Sequence, residues 1–132
     1  IKVHVSGSNP KDWAVAERCE FTILSLPANW KLYGYILPIV PGINQGDDIA
    51  GIVHSVGSNV TEFRPGDRVA SFHEMLSPHG SYGEYAVGCA DTTFHIPEQV
   101  SFEEAATIPL AGMTAALGLY QRLNLPLPWR PA

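Results

Sequence analysis

The amino-acid sequence predicts a mainly β domain of the α+β class, in which short strands form a partly open barrel and a few short helices lie at its periphery. Two observations predict this fold. Short apolar segments recur between glycine- and proline-rich turns up to residue 97, whereas helix signals are concentrated after residue 100. The 132 residues suffice for one hydrophobic core, and a content of 45% hydrophobic and 16% charged residues is typical of an ordered globular chain.

The first strand is predicted at residues 1–6, because apolar and polar residues alternate there as in a strand with one solvated face. The pair Asn9-Pro10 predicts a turn after it, since a residue before proline is disfavoured in the helical region. Residues 11–25 have a weak helical periodicity and predict a short helix. Residues 26–46 are rich in proline, glycine and aromatic residues, which predicts a loop.

The sheet signal strengthens over residues 48–60, where a strand is predicted with a close approach of a neighbouring backbone at Gly51. Pro65 and Gly66 suit the two central positions of a type II turn, and a strand is expected to follow at once. The further short strands are predicted at residues 67–72, 84–88 and 92–97.

Helices are predicted in the last third of the chain. Ser101 and Glu104 have the spacing of a capping box, in which each side chain satisfies a backbone N–H at the start of a helix. Pro109 is expected to stop or kink this helix. Residues 112–123 then predict a second helix, because four apolar residues share one face: Met113, Ala116, Leu117 and Tyr120.

Charge and cysteine content restrict the partners and the location. The net charge is −5, with 8 basic against 13 acidic residues, which disfavours nucleic acid because such binding depends on basic side chains. Cys19 and Cys89 lie far apart and form no C-x-x-C pair, so we expect free thiols and a cytoplasmic location. No apolar run is long enough to span a bilayer, and no membrane partner is expected.

Four segments together resemble the GroES-like catalytic domain of the medium-chain dehydrogenases/reductases. They are "GSNPKDW", "PGINQGDDIAGIVHSVGSNVTEFRPGDRVASF", "GSYGEYAV" and "SFEEAATIPLAGMTAALGLY". The first and the stretch "NWKLYGY" are most similar to fungal quinone oxidoreductase-like proteins and trans-acting enoyl reductases. The combination is specific, since three glycine-containing motifs occur in the family's order and spacing.

This resemblance implies a domain organisation. Residues 1–109 would form the GroES-like catalytic domain, and residues 110–132 would form a helix and a proline-rich segment that lead to a Rossmann dinucleotide-binding domain outside this chain. A β-hairpin is expected before Ile1. The twelve glycines contain no G-x-G-x-x-G, which agrees with a chain that does not include the dinucleotide domain.

The resemblance also implies that the protein is zinc-independent. Alcohol-oxidising members hold a catalytic zinc with a cysteine and a histidine, and here Asn9 and Asp47 stand at those two positions. An amide is a poor zinc ligand, and two cysteines cannot form the four-cysteine lobe of those relatives. The segment "HEMLSPH" contains His73 and His79, but its turn residues and six-residue spacing favour surface histidines on a loop. Exposed strand faces are expected for the others: His4, His54 and His95.

Without zinc, the implied chemistry is hydride transfer from NADPH, or alternatively NADH, to an activated C=C bond in an enone, quinone or enoyl thioester. By resemblance, Asn9 and Thr114 would bind the nicotinamide end of the cofactor, since both side chains donate and accept hydrogen bonds. Lys11 would help to hold the enolate. Tyr35, with Tyr33 as its alternative, is the predicted proton donor, and water is the other candidate.

Each of these assignments has a structural alternative. Asn9 can be an ordinary turn residue, Thr114 can bond back to a helical carbonyl, Lys11 can be an exposed turn lysine, and Tyr35 can serve in packing. Two further carboxylates, Asp12 and Asp48, are interpreted as structural organisers, and Asp67 as a turn cap paired near Arg68.

The partners implied are a small-molecule enone, quinone or acyl thioester, a polyketide synthase for the thioester case, and a second copy of the full-length protein. Two other functions stay open at this point. One is a zinc-dependent alcohol dehydrogenase with atypical ligands. The other is a non-catalytic GroES-like binding module, because the fold is shared with co-chaperonins.

Overall fold

The computed structural model describes residues 1–13, 44, 46–75 and 77–130. Over these ranges four strands form one antiparallel sheet in the order β1-β2-β3-β4. The strands are β1 (Lys2–Gly7), β2 (Asp48–Ile52), β3 (Arg68–Phe72) and β4 (Thr93–His95). The helical elements are a 3₁₀ turn (Ala90–Thr92), α1 (Phe102–Ala105), α2 (Pro109–Ala116) and a π-helical continuation of α2 (Leu117–Arg122). The predicted mainly β, α+β class is confirmed by this sheet and its short helices.

The pairing of β1 with β2 explains the glycine at position 51. Val3 of β1 lies opposite Gly51, and the register shifts by a bulge before Val5. A Cβ atom at Gly51 would collide with the carbonyl oxygen of Lys2. The predicted close approach of a neighbouring backbone is therefore confirmed.

The turn before β3 is also as predicted. The Asp67 N–H donates to the Arg64 carbonyl over 3.1 Å, and Gly66 has a φ of 97°, as the third residue of a type II turn requires. The Asp67 carboxylate accepts from the Arg64 N–H at 2.9 Å, so it caps the turn. Its ionic partner is Arg64 and not Arg68, which donates to the Val100 carbonyl oxygen instead.

The strand predicted at residues 84–88 is wrong. Tyr85 forms only an isolated bridge with Lys2. The backbone bonds of this segment are divided, since the Ala86 N–H donates to the Ile1 carbonyl and the Val87 N–H to the His79 carbonyl. Because successive N–H groups bond to different parts of the chain, the segment cannot form a continuous ladder with β1.

The helices begin where local signals predict. Ser101 and Glu104 form the predicted capping box, with the Glu104 N–H donating to Ser101 Oγ at 3.1 Å and the Ser101 N–H donating to Glu104 Oε2 at 2.9 Å. Pro109 follows the end of α1 as the first residue of α2, where its missing N–H costs nothing. Of the helix predicted at residues 11–25, only residues 11–13 are described, and they are helical together with residue 10.

A small core lies between the sheet and α1. It consists of Ala50, Ala70, Ile96, Ala105 and Ala106. Because four of these five side chains are alanine methyl groups, α1 lies close to β1 and β2, and α2 follows against β2 and β3. This packing brings the start of α2 next to Asp48, the first residue of β2.

Candidate functional site

The buried carboxylate of Asp48 connects two of the predicted cofactor-binding residues. It accepts a hydrogen bond from Asn9 Nδ2 at 2.5 Å and one from the backbone N–H of Leu110 at 2.6 Å. Leu110 is the second residue of α2, and its N–H has no partner within the helix. One turn later, Thr114 donates to the Leu110 carbonyl oxygen at 2.8 Å. Asn9 and Thr114 are thus joined through Asp48 and one turn of α2.

This chain of hydrogen bonds fixes what Asn9 and Thr114 can offer a ligand. A carboxylate can only accept, so the amide nitrogen of Asn9 must face Asp48. The Thr114 hydroxyl proton is likewise used within α2. This bond to a helical carbonyl is the structural alternative that was predicted for Thr114. Among the described residues, no hydrogen bond reaches the amide oxygen of Asn9. Both side chains therefore retain acceptor oxygens, while the Thr114 hydroxyl proton and one of the two amide protons of Asn9 are used within the protein.

Lys11 lies between two carboxylates. Its Nζ is 2.6 Å from Asp47 Oδ2 and 3.1 Å from Asp12 Oδ1. Burial alone would lower the pKa of Lys11, but the hydrogen bonds and charges of Asp47 and Asp12 outweigh it and raise the pKa above its usual value. Lys11 is therefore a fixed ammonium at neutral pH and not the exposed turn lysine of the alternative interpretation.

Asp12 joins Lys11 to an aromatic hydroxyl from another part of the chain. Its Oδ2 accepts from the Asn9 N–H at 2.9 Å and from the Tyr82 hydroxyl at 2.5 Å. Burial tends to raise the pKa of Asp12, but the hydrogen bonds from Tyr82, Asn9 and Lys11 hold it below its usual value. Burial and the hydrogen bond to Asp12 raise the pKa of Tyr82. At neutral pH the pair is thus a carboxylate and a neutral phenol.

The prediction that His73 is a surface histidine is wrong. Its side chain is 1% exposed, and Nδ1 lies 3.3 Å from Asp47 Oδ1. The other ring nitrogen, Nε2, lies 3.0 Å from both the Pro78 carbonyl oxygen and Ser77 Oγ. His73 directly follows β3, whose last residue, Phe72, pairs with Asp48. Its position beside Asp47 is one step further along the same ladder, and this register was the signal that could have revealed it.

The other four histidines are exposed as predicted, although His54 lies two residues beyond the end of β2 and not on a strand. Exposed side chains are found at His4, His54, His79 and His95. Within the described ranges, no three His, Cys, Asp or Glu side chains are placed to hold a metal ion. Asp47, at a position where the resemblance implies a histidine ligand in zinc-dependent members, faces Lys11 and His73.

The remaining predicted residues divide into two cases. Asn9 and Lys11 lie in one hydrogen-bonded network with Asp12, which fits their predicted proximity, although their roles in binding and catalysis stay predictions. Tyr35 and its alternative Tyr33 lie outside the described residues, so the predicted proton donor stays a prediction. Sequence reasoning did not find Tyr82, which is 70 positions from Asp12 and had a signal only in the motif "GSYGEYAV".

A cavity of about 530 Å³ lies elsewhere, lined mainly by apolar side chains that include Val53, Val56, Phe63 and Tyr85. It shares no lining residue with the network around Asp48 and Lys11. We place the candidate site at the network, because three carboxylates and an ammonium converge there, whereas the ionisable side chains that line the cavity are those of His54, His79 and Tyr85.

Comparison with known proteins identifies the fold family. Residues 1–98 match the alcohol dehydrogenase GroES-like domain. The chain belongs to this family. One relative of this chain, trans-enoyl reductase fsr4 of Gibberella fujikuroi, is 44% identical to it over 131 residues, which are 99% of this chain and 33% of that protein. Quinone oxidoreductase of Sus scrofa is 36% identical over 119 residues, which are 90% of this chain and 31% of that protein.

A solved structure gives the same placement. Quinone oxidoreductase from Coxiella burnetii is 30% identical, with a TM-score of 0.64 over 92% of this chain and 35% of that one. The membership in the medium-chain dehydrogenase/reductase superfamily that the motifs implied is therefore confirmed. The GroES-like chain spans about a third of the length of these relatives. In the described part of the chain, no helix is both long and apolar enough to cross a membrane.

Proposed function

We propose that the full-length protein is a zinc-free, NADPH-dependent oxidoreductase that reduces activated C=C bonds, and that this chain supplies its catalytic domain. The substrate class is an enone, a quinone or an enoyl thioester. Relatives named trans-enoyl reductase and quinone oxidoreductase support the reaction class. The thioester case includes a partner polyketide synthase, and the full-length protein is proposed to form a homodimer in the cytoplasm.

The observation that carries the zinc-free part is the ion pair between Lys11 and Asp47. An ammonium lies 2.6 Å from the carboxylate that replaces the histidine ligand of zinc-dependent members. The amide that replaces the cysteine ligand turns its nitrogen to Asp48, at 2.5 Å. A metal ion bound between these positions would have to displace a buried ion pair and use an amide oxygen, which is an unfavourable exchange. The carboxylate at a predicted metal-ligand position thus already has a cation of the protein as its partner, which supports the zinc-free proposal.

The polar groups present fit a nicotinamide. Its carboxamide carries an NH2 group with two donors, and Asn9 and Thr114 both retain acceptor oxygens in the Asp48-linked chain. When bound, a reduced nicotinamide supplies the hydride that the β carbon of the substrate receives. The protein then has to orient the two partners and stabilise the negative charge that develops on the substrate oxygen.

Lys11 is suited to the second task. Its raised pKa keeps it cationic at neutral pH, and its two carboxylate partners fix its position. A fixed positive charge stabilises a developing enolate without reorganisation during the reaction. The same charge supplies no coordination site for an alcohol oxygen, so simple alcohols are not expected to be oxidised.

The test is an assay of the full-length protein with NADPH and three substrates: a simple enone, a quinone and a 2-enoyl thioester. We expect cofactor consumption with at least one of them, no loss of turnover with a strong chelator, and no oxidation of simple alcohols. Turnover that depends on a metal, or alcohol oxidation without reduction of any of the three substrates, would contradict the proposal.

Cofactor contact at Thr114 has its own test. Thr114→Val keeps the shape and removes the acceptor oxygen, so the dissociation constant of NADPH should rise by roughly two- to tenfold, as expected for one lost hydrogen bond. Thr107→Val is the matched control, because Thr107 makes the same kind of bond to a helical carbonyl, that of Glu104 at 2.7 Å. Equal effects of the two variants would show that Thr114 serves α2 alone.

A further inference from the structure

We propose that Tyr82 is a catalytic residue that delivers the proton to the α carbon of the substrate. This inference rests on the proposed reduction of a C=C bond, which requires a proton after the hydride. It assigns a role to a side chain that the sequence did not single out.

Tyr82 is held in place at its hydroxyl group and at its backbone. Its hydroxyl donates to Asp12 Oδ2 at 2.5 Å, and the same oxygen accepts from the backbone N–H of Asn9 at 2.9 Å. Its own backbone N–H donates to Asn44 Oδ1 at 3.1 Å. The ring packs on Gly46, where a Cβ atom would come within 3.0 Å of Tyr82 Cγ. The phenol is therefore held next to the residue predicted to contact the nicotinamide.

Tyr82 also reaches solvent. Its side chain is 48% exposed, although its hydroxyl is bonded within the network. A proton donor must touch the substrate and must recover a proton afterwards, and both need access from outside the protein. Half-exposure of the ring provides this access.

The other acidic groups of the described network are less suitable. His73 is 1% exposed, and both of its ring nitrogens lie near protein oxygens. The hydroxyls of Ser6 and Ser81 are bonded to each other at 2.6 Å, and an alcohol is a weaker acid than a phenol. Lys11 is held by two carboxylates, which favour its charged form and suit it to charge stabilisation.

The proton step is balanced. After hydride transfer the substrate is an enolate, and its α carbon takes the proton of the Tyr82 hydroxyl. The O–H bond breaks, a C–H bond forms, and the negative charge passes to the phenolate oxygen. The α carbon of an enolate is a much stronger base than a phenolate, so the raised pKa of Tyr82 does not prevent the transfer. The phenolate is linked to the Lys11 ammonium through Asp12 and then takes a proton from water.

The first experiment uses the full-length protein with NADPH and an α-methyl-2-enoyl thioester, so that the protonated carbon becomes a stereocentre. Tyr82→Phe should lower kcat by roughly a hundredfold, in the range of a lost general acid. The remaining product should lose its single configuration, because water then protonates either face. Tyr85→Phe is the matched control, since Tyr85 is 47% exposed and lies on the separate cavity. It should leave rate and configuration unchanged.

A second readout needs no turnover. The ultraviolet difference spectrum between wild type and Tyr82→Phe reports the titration of Tyr82. We expect an apparent pKa above the usual value, which should fall when Asp12→Asn removes the carboxylate.

The outcomes separate this inference from the proposed function. If Tyr82→Phe retains the wild-type rate and a single configuration, or if Tyr35→Phe produces both losses instead, the assignment is wrong while the reductase function stands. A Tyr82 that titrates at its usual pKa and ignores Asp12→Asn contradicts the geometry on which the assignment depends. If the wild-type protein reduces no activated C=C bond, the proposed function is wrong and the inference with it.

Discussion

The most informative stability test is Asp48→Asn. The change keeps the shape of the side chain but removes its charge, and one of its two oxygens becomes an NH2 group. The replacement amide can still accept from the Leu110 N–H, now as a neutral acceptor, while its NH2 group faces the NH2 group of Asn9. Each bond to the charged carboxylate contributes about 1.5–3 kcal/mol and a neutral one about 0.5–1.5 kcal/mol.

The bond from Asn9 is therefore lost and the bond from Leu110 is weakened, which together cost roughly 3 kcal/mol. The variant also no longer buries a charge, and this offsets part of that cost. We expect the free energy of unfolding to fall by about 2–3 kcal/mol. The Asn9 amide can also turn over, which restores its bond to position 48 but withdraws its acceptor oxygen from the cofactor. NADPH should therefore bind more weakly in the same variant.

Urea unfolding of the full-length protein measures the first effect, and a fluorescence titration with NADPH measures the second. Asp67→Asn is the matched control, because that carboxylate caps a surface turn and pairs with the 87% exposed Arg64. Asp67→Asn should lower the free energy of unfolding by less than about 1 kcal/mol, as is typical of surface ion pairs. The reasoning is refuted if Asp48→Asn costs no more than this control.

Three further predictions concern packing, pH and charge. Gly51→Ala should cost about 1–3 kcal/mol because the new methyl group meets the Lys2 carbonyl of β1, whereas Gly118→Ala, with no atom within 4 Å, should be neutral or stabilising in thermal unfolding. Asp12 has a pKa below its usual 3.8 in the folded state, so its contribution is present above that pH and lost as the pH falls through the lowered value. The stability difference between wild type and Asp12→Asn, measured by urea unfolding, should therefore be constant at neutral pH and shrink in acid; a difference that shrinks between about pH 5 and 8 would contradict it. Lys11→Met should lower kcat of the reductase by roughly tenfold or more with little change in the dissociation constant of NADPH, and an unchanged kcat would remove Lys11 from the mechanism.

Local chemistry made part of this fold predictable. The alternation in residues 1–6, the Pro65-Gly66 turn and the Ser101 capping box each depend on neighbours within a few positions, and each is found as expected. Gly51 was predictable for a related reason, because an isolated glycine within a strand indicates a close backbone approach whichever strand is adjacent. In these cases the sequence window contains all the atoms that decide the structure.

The site depended on contacts that no local window contains. His73 was assigned to the surface because a polar residue before Ser-Pro-His-Gly is typical of a loop, yet the β2–β3 register places it against Asp47. Tyr82 reaches Asp12 across 70 positions. The strand expected at residues 84–88 failed for the same reason, since the partners of its backbone groups are divided between Ile1 and His79.

The two replaced metal positions and Lys11 make physical sense only together. A carboxylate at Asp47 that is 1% exposed would be strongly disfavoured without a positive partner, so replacing a neutral histidine ligand by aspartate requires a cation nearby. Lys11 provides that cation from the segment that also carries Asn9, and Asp12 holds it from the other side. The loss of metal ligands that the family resemblance implies and the fixed ammonium of Lys11 would therefore be one change in the electrostatics of the site. An ammonium can stabilise an enolate but cannot coordinate an alkoxide, so under the proposed function this arrangement would favour reduction of conjugated C=C bonds over oxidation of alcohols.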